Sequence, residues 1–350
     1  MHTNITIKKL PASEVMITGE IPFDALLPYK KEALKRIGQS VTIPGFRTGH
    51  IPENVLIKRV GEMAVLEEMA EGALSKAYPA ILAEHKLFPL SRPNVNFTKL
   101  VEGSPLGFTI LVAVMPEIVL LDFKKIASAE NKKPEEKIEA TEKDIEELIT
   151  TVRKSHVDHS KHDHNVSKEE HDKLLEQEMP EVTDEFVQKI GDFKNVADFK
   201  EKIKDNVIKE KEYKAKEKKR LQIVDAIIEK TEIEVPNVLV ENELNKMTEQ
   251  FKADIGRMGA TLEDYLKHIK KTESDIRGDW TKDATKRVKL QLIMGKIAAE
   301  EKIEPKKEDV DKEVSHITEH YKDADPERAR DYAETILRNE KVFEFLENQK

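Results

Sequence analysis

The sequence predicts an α+β N-terminal region followed by an extended all-α, multi-helix C-terminal region with helical arms. Three observations carry this. The alternating runs "NITIKKL", "EVMITGEIP" and "NVNFTKLVEGSPLGFTILVAVMP" all lie before Pro116. Beyond residue 117 strand patterns fade and helical spacing takes over. Charged residues make up 36% of the 350 positions, aromatics 5% and hydrophobics 38%. That balance suits long, salt-laced helices better than one dense α/β core.

The elements follow in chain order. Residues 4–22 read as two strands separated at Pro11. Asp24 sits where an N-cap belongs, ahead of a helix through "ALLPYKKEALKRIG" that Gly38 ends. Pro52 opens a short helix, and a longer one spans about 62–84, with Val65, Met69, Ala73 and Tyr78 near helical spacing. Val95–Val101 and Leu106–Val114 form a hairpin turning at "EGSPLG". Residues 128–140 read as a solvated linker. Thr141 to Asp144 resembles a capping box before Ile145, Leu148, Ile149 and Val152 on one helix face. Residues 156–178 are polar, with little to bury. Asn195 and Asp198 cap a helix of about 35 residues, whose charged middle is expected to cross solvent between two packed ends. Helices then follow after Pro236 and over about 261–271, 272–301, 306–322 and 326–348.

Composition excludes several classes of function. With no cysteine there is no disulfide and no cysteine metal site. No run reaches the ~18 apolar residues of a membrane span, and the N-terminus lacks a signal-like apolar stretch, so a soluble cytoplasmic protein with no membrane partner is expected. Net charge is −9, unevenly spread: residues 1–112 hold 13 Lys+Arg against 11 Asp+Glu, and the remainder 46 against 57. The N-terminal region is thus the one less repelled by nucleic-acid phosphate.

The stretch "IPGFRTGHIPENVL", Ile43–Leu56, asks for explanation. Pro44 and Pro52 stiffen its ends, while Gly45 and Gly49 permit turns closed to other residues. The result is a rigid tip bearing Phe46 and Arg47. Spacing alone favours a buried Phe46 plugging the domain, with Arg47 in a local ion pair.

The motif Gly45-Phe46-Arg47-Thr48-Gly49-His50-Ile51-Pro52 resembles the loop signature of trigger factor, the bacterial ribosome-associated chaperone family. "MPEVTDEFVQKIGDF" and "IEVPNVLVENEL" are similar to that family's C-terminal helical region. The resemblance implies a ribosome-binding domain at 1–115, a linker with a helix packing on the C-terminal domain at 116–155, and a substrate-binding domain at 179–350. It implies docking at the nascent-chain exit of the large ribosomal subunit, against a ribosomal protein and adjacent rRNA, through Gly45, Phe46, Arg47, Thr48, Gly49 and Pro52. It further implies apolar segments of unfolded nascent polypeptides as clients, no cofactor, and room for a homodimer away from the ribosome. It reverses the reading of Phe46. The family commonly has Lys where this chain has Thr48, which predicts weaker or less salt-dependent docking.

The family usually inserts an FKBP-like prolyl isomerase domain. Such a domain needs on the order of 100 residues. The corresponding stretch here, the His-rich 156–178, has 23 residues with no Phe, Trp, Tyr, Gly or Pro. No barrel can be built from it, so isomerase activity is expected to be absent.

Two histidine groups have the chemistry of metal ligands. His156, His159, His162, His164 and His171 crowd one segment, and imidazole suits zinc and nickel. With no closed framework around them, a solvated linker is favoured over a metal-handling protein. "HITEH", His316–His320, matches the pattern of inverted zinc peptidases, but such enzymes need a third ligand and a cleft, so an exposed helix face is favoured. The basic tract Lys209–Arg220, with seven Lys+Arg and three Glu, reads as a solvated helix middle rather than an RNA contact.

A holdase needs dispersed, adaptable apolar surface. Met247, Phe251, Ile255 and Met258 recur at helical spacing, joined by Leu262, Tyr265 and Leu292. These are the candidate client-binding residues. A helical scaffold with no ribosome role is the remaining alternative.

Overall fold

The computed structural model describes residues 3–47, 49–134, 137–157, 179–321 and 323–350. The chain divides into two compact units, Met1–Leu121 with Thr231–Ile303, and Asp122–Lys230 with Glu304–Lys350.

In the first unit, strands β1 (Thr3–Leu10), β2 (Glu14–Ile21), β3 (Asn94–Lys99) and β4 (Leu106–Ala113) form an antiparallel sheet of order β1-β2-β4-β3. Ile17 stands opposite both Ile7 and Ile110, so the alternation of β2 and β4 sends Val15, Ile17, Ile21, Phe108 and Ile110 to one buried face. Helices α1 (Lys30–Ser40), α2 (Glu53–Val60) and α3 (Glu62–Glu84) complete that core, α3 contributing Val65, Met69, Ala73 and Ile81.

Two expectations need correction here. Asp24 caps no α-helix; two 3-10 turns, Phe23–Ala25 and Leu27–Tyr29, precede α1, which starts at Lys30. Pro28 explains this, since it lacks an N–H and cannot sit in the second turn of a helix begun at residue 25. Gly38 does not end α1 but lies buried inside it, where an added Cβ would touch Leu56 Cδ2 at 3.6 Å.

The other segment of this unit holds α8 (Asn237–Arg257), α9 (Leu262–Ile269) and α10 (Glu273–Glu301). Thr261 caps α9, and a capping box of Thr272 and Asp275 starts α10. Helices α8 and α10 pack on each other around Val240, Leu244 and Ala284, with Met247 and Trp280 against them. Ser13 Oγ donates to the Glu234 carbonyl at 2.8 Å, tying the β1–β2 turn to the chain ahead of α8.

The second unit holds α4 (Phe123–Asn131), α5 (Glu142–Ser155), α6 (Asp184–Ile190), α7 (Val196–Lys230), α11 (Lys307–His320) and α12 (Pro326–Glu347). Helix α4 corrects the linker reading, which took in Ser128–Asn131. The Asp122 carboxylate accepts from Lys125 N, and Phe123, Ile126 and Ala127 are buried. The 35-residue α7 spans roughly 50 Å. Its charged middle does not cross open solvent as expected. Lys211 Nζ reaches Asp144 Oδ2 at 2.5 Å on α5, and Arg220 is buried. The Lys211 hydrogen bond, with those of Thr141, holds the Asp144 carboxyl well below the ordinary carboxylate range.

Arg220 is the hub of this unit. Its guanidinium donates to Glu340 through Nη1 and Nη2 at 2.9 and 2.6 Å and to Glu347 through Nε at 2.6 Å, and lies 5.1 Å from the Phe343 ring centre. Beside it, Asn131 Nδ2 donates to the carbonyls of Leu346, Glu347 and Gln349. These carbonyls belong to the last turn of α12 and the residues after it, where intrahelical donors run out.

Candidate functional site

The stretch from Ile43 to Pro52 folds as two consecutive tight turns. Phe46 N donates to the Ile43 carbonyl at 3.1 Å across Pro44 and Gly45, and Gly45 has φ +88°. Proline second and a positive-φ glycine third are what a type II turn requires. His50 N then donates to Arg47 O at 2.9 Å, with Gly49 at φ +80°. Gly49 N reaches back to the Gly38 carbonyl at 2.9 Å, pinning the loop to α1. The carbonyl of Pro52 accepts from Val55 and Leu56 at the start of α2.

The side chains at this tip face water. Phe46 is 40% exposed, so it is not a plug. Arg47 is exposed and has no carboxylate partner among the described residues. Thr48 lies outside the described residues. An open groove of about 640 Å³ runs beside the loop, with Lys30, Lys31 and Lys35 of α1 on one wall and Gly49, Ile51 and Glu53 on the other. Lys30 pairs with Glu53 at 3.2 Å. The lysines were not picked out from sequence; the signal available was the spacing of Lys31 and Lys35, one helical turn apart shortly after Pro28.

The seven candidate client-binding residues divide by environment. Ile255 is 1% exposed, and Met258, at the C-cap of α8, is 73% exposed. Met247, Phe251, Leu262, Tyr265 and Leu292 are half-buried. Phe251 meets Tyr265 edge-on at 5.4 Å and Trp280 at 5.2 Å, so an aromatic cluster joins α8, α9 and α10. Trp280 was missed because a lone tryptophan amid charged neighbours shows no periodicity.

Of the histidine tract, His159, His162, His164 and His171 lie outside the described residues. His156 sits edge-on to Phe186 at 6.0 Å, with Nδ1 2.9 Å from the Val152 carbonyl. The rings of His316 and His320 lie 4.6 Å apart on the exposed face of α11. Among the described residues no group of three or more His, Asp or Glu could hold a metal ion, and no helix is long and apolar enough to cross a membrane.

Two family models match the chain. One, described as bacterial trigger factor protein, matches residues 3–152, and one described as the C-terminus of that protein matches residues 195–350. The trigger factor of Salinispora arenicola is 26% identical over 377 residues, covering 89% of this chain and 84% of the relative. That of Halothermothrix orenii is 24% identical over 385 residues, covering 89% of each. A solved structure from work on promiscuous substrate recognition in folding and assembly activities of the trigger factor chaperone matches with a TM-score of 0.58 at 17% identity. It covers 99% of this chain and 100% of the other, a likeness of fold.

Proposed function

The chain belongs to the trigger factor family of ribosome-associated chaperones, and from that premise we propose how this member docks and holds. The loop Gly45–Pro52 docks at the nascent-chain exit of the large subunit. Phe46 enters an apolar pocket there, and Arg47 meets a carboxylate or phosphate. The observation that carries this reading is the exposed Phe46 on a tip fixed by two turns and by the Gly49–Gly38 bond. A pre-ordered tip loses little conformational freedom on binding.

Clients are held without nucleotide, through dispersed apolar surface that includes Met258 and the half-buried residues around Phe251. Weak contact at many points permits release without an energy source. The reading also leaves out prolyl isomerisation. Its support is the spacing between α5 and Met179, where 156–178 supplies 23 residues against the ~100 of a barrel domain.

Co-sedimentation with large ribosomal subunits tests the docking. A phenylalanine buries about 150–250 Å² in contact, so the 40% of Phe46 left exposed offers roughly 60–100 Å² to a partner. At about 25 cal/mol per Å² this is ~1.5–2.5 kcal/mol, or about 10- to 60-fold in affinity. Phe46→Ala should lose that much, and Phe46→Ala with Arg47→Ala should abolish pelleting. Equal pelleting of wild type and double variant would refute the loop as anchor; no pelleting of wild type would favour a scaffold role.

A further inference from the structure

Positive charge in the N-terminal region is concentrated around the docking loop. Residues 27–60 hold seven Lys+Arg and two Glu, whereas the rest of 1–112 holds six against nine. The segment is the 3-10 turn Leu27–Tyr29, α1, the loop and α2, and its cations are unequal. Lys30 is neutralised by Glu53 at 3.2 Å, and Arg36 by Glu68 at 2.9 Å. Lys31 and Lys35 are exposed and have no carboxylate partner among the described residues. They stand one turn apart on α1, about 6 Å along its axis, and both line the open groove beside the loop.

An unpaired lysine in a water-filled groove keeps a compact, mobile ammonium, suited to phosphate as a point charge. The remainder of the groove is aliphatic, from Leu34, Ile51 and Leu56, and offers no competing acid beyond the already paired Glu53. We infer that Lys31 and Lys35 form a track for the RNA phosphate backbone beside the docking tip, placing on α1 the charge that the loop lacks at Thr48. This rests on the docking reading, because it takes the ribosome as the surface against which the groove lies.

The test compares full-length wild type with Lys31→Ala/Lys35→Ala and the charge-preserving Lys31→Arg/Lys35→Arg. Binding to large ribosomal subunits is measured across about 50 to 200 mM salt, where each phosphate contact contributes roughly 0.7–0.9 to the slope of log affinity against log salt. The alanine pair should lower the slope by about 1.4–1.8, so that wild type loses roughly tenfold more affinity than the variant over that fourfold range. The arginine pair should keep the wild-type slope, and Phe46→Ala should weaken binding with the slope unchanged. A second arm measures each protein against a labelled RNA hairpin alone at low salt, where the alanine pair should also bind more weakly than wild type. An unchanged slope on the subunit, or hairpin binding equal to wild type, would overturn the assignment; a changed slope with equal hairpin binding would make the partner a protein carboxylate instead. Wild type that binds the hairpin through these lysines but not the subunit would sink the docking reading alone.

Discussion

Replacing Arg220 offers the sharpest test of how the second unit is held together. Its guanidinium side chain is 8% exposed and is shared between Glu340, 45% exposed, and Glu347, 19% exposed. Breaking a buried ion pair from one side costs about 3–5 kcal/mol, most of it from the charge left behind. Glu340 can rehydrate, whereas Glu347 stays largely dry, so Arg220→Met should cost nearer 2–3 kcal/mol. Hydrogen exchange of α12 amides reads this locally, as protection falling roughly 30- to 140-fold. Adding Glu347→Gln should return part of the loss, since the drier of the two carboxylates is then uncharged and only the more exposed Glu340 is left without the guanidinium. The same contact sets an acid limit. The Arg220 hydrogen bond holds the Glu340 carboxyl below its ordinary value, so its stabilisation is complete above the unfolded value of about 4.3 and fades as pH falls through the lower folded value. Arg220→Met should remove that acid dependence. Protection unchanged in Arg220→Met, or no recovery with Glu347→Gln, would refute the hub.

Three further outcomes are expected. Met258→Ser should reduce suppression of client aggregation while leaving helix content unchanged, because Met258 is 73% exposed and closes no core; unaltered suppression would place the client surface elsewhere. Thr48→Lys should tighten ribosome pelleting and steepen its salt dependence by about 0.7–0.9 in slope, one added phosphate contact. In a prolyl isomerase assay the purified chain should match the uncatalysed rate, and robust catalysis would contradict the reading of 156–178.

The elements were largely legible where one residue type forces one conformation. Pro44 with Gly45 demanded a turn, and Thr141 with Asp144 demanded a helix start. Legibility failed where two local rules competed. Asp24 is a good cap, but Pro28 four residues on forbids the helix it would start. Gly38 is a good stop, yet it is also small enough to lie beneath Leu56, and packing won. Helix α4 was half missed because Lys132, Lys133 and Pro134 coloured the reading of Ser128–Asn131. At the candidate site the chemistry of the tip could be read, but its exposure could not. Hydrophobicity alone says that Phe46 should be buried, and only the pinned backbone keeps it out. Periodicity likewise grouped Ile255 with Met258, though one closes a core and the other faces water. Ion pairing, which separates Lys30 from Lys31, depends on Glu53 across the groove and has no local signature.

The grip of Asn131 and Arg220 on the last turn of α12 also fixes a timetable. Asn131 bonds carbonyls 215 to 218 positions downstream, and Arg220 a carboxylate 127 positions downstream. A chain made from its N-terminus outward can pack the β1–β4 sheet on α1–α3 early, since all the pairings of that layer lie within the first 115 residues. The second unit must wait until Glu347 has been synthesised and released, with the buried faces of α4 and α7 unfinished in the meantime. A protein that shelters half-made polypeptides is therefore, for most of its own synthesis, a half-made polypeptide in need of shelter.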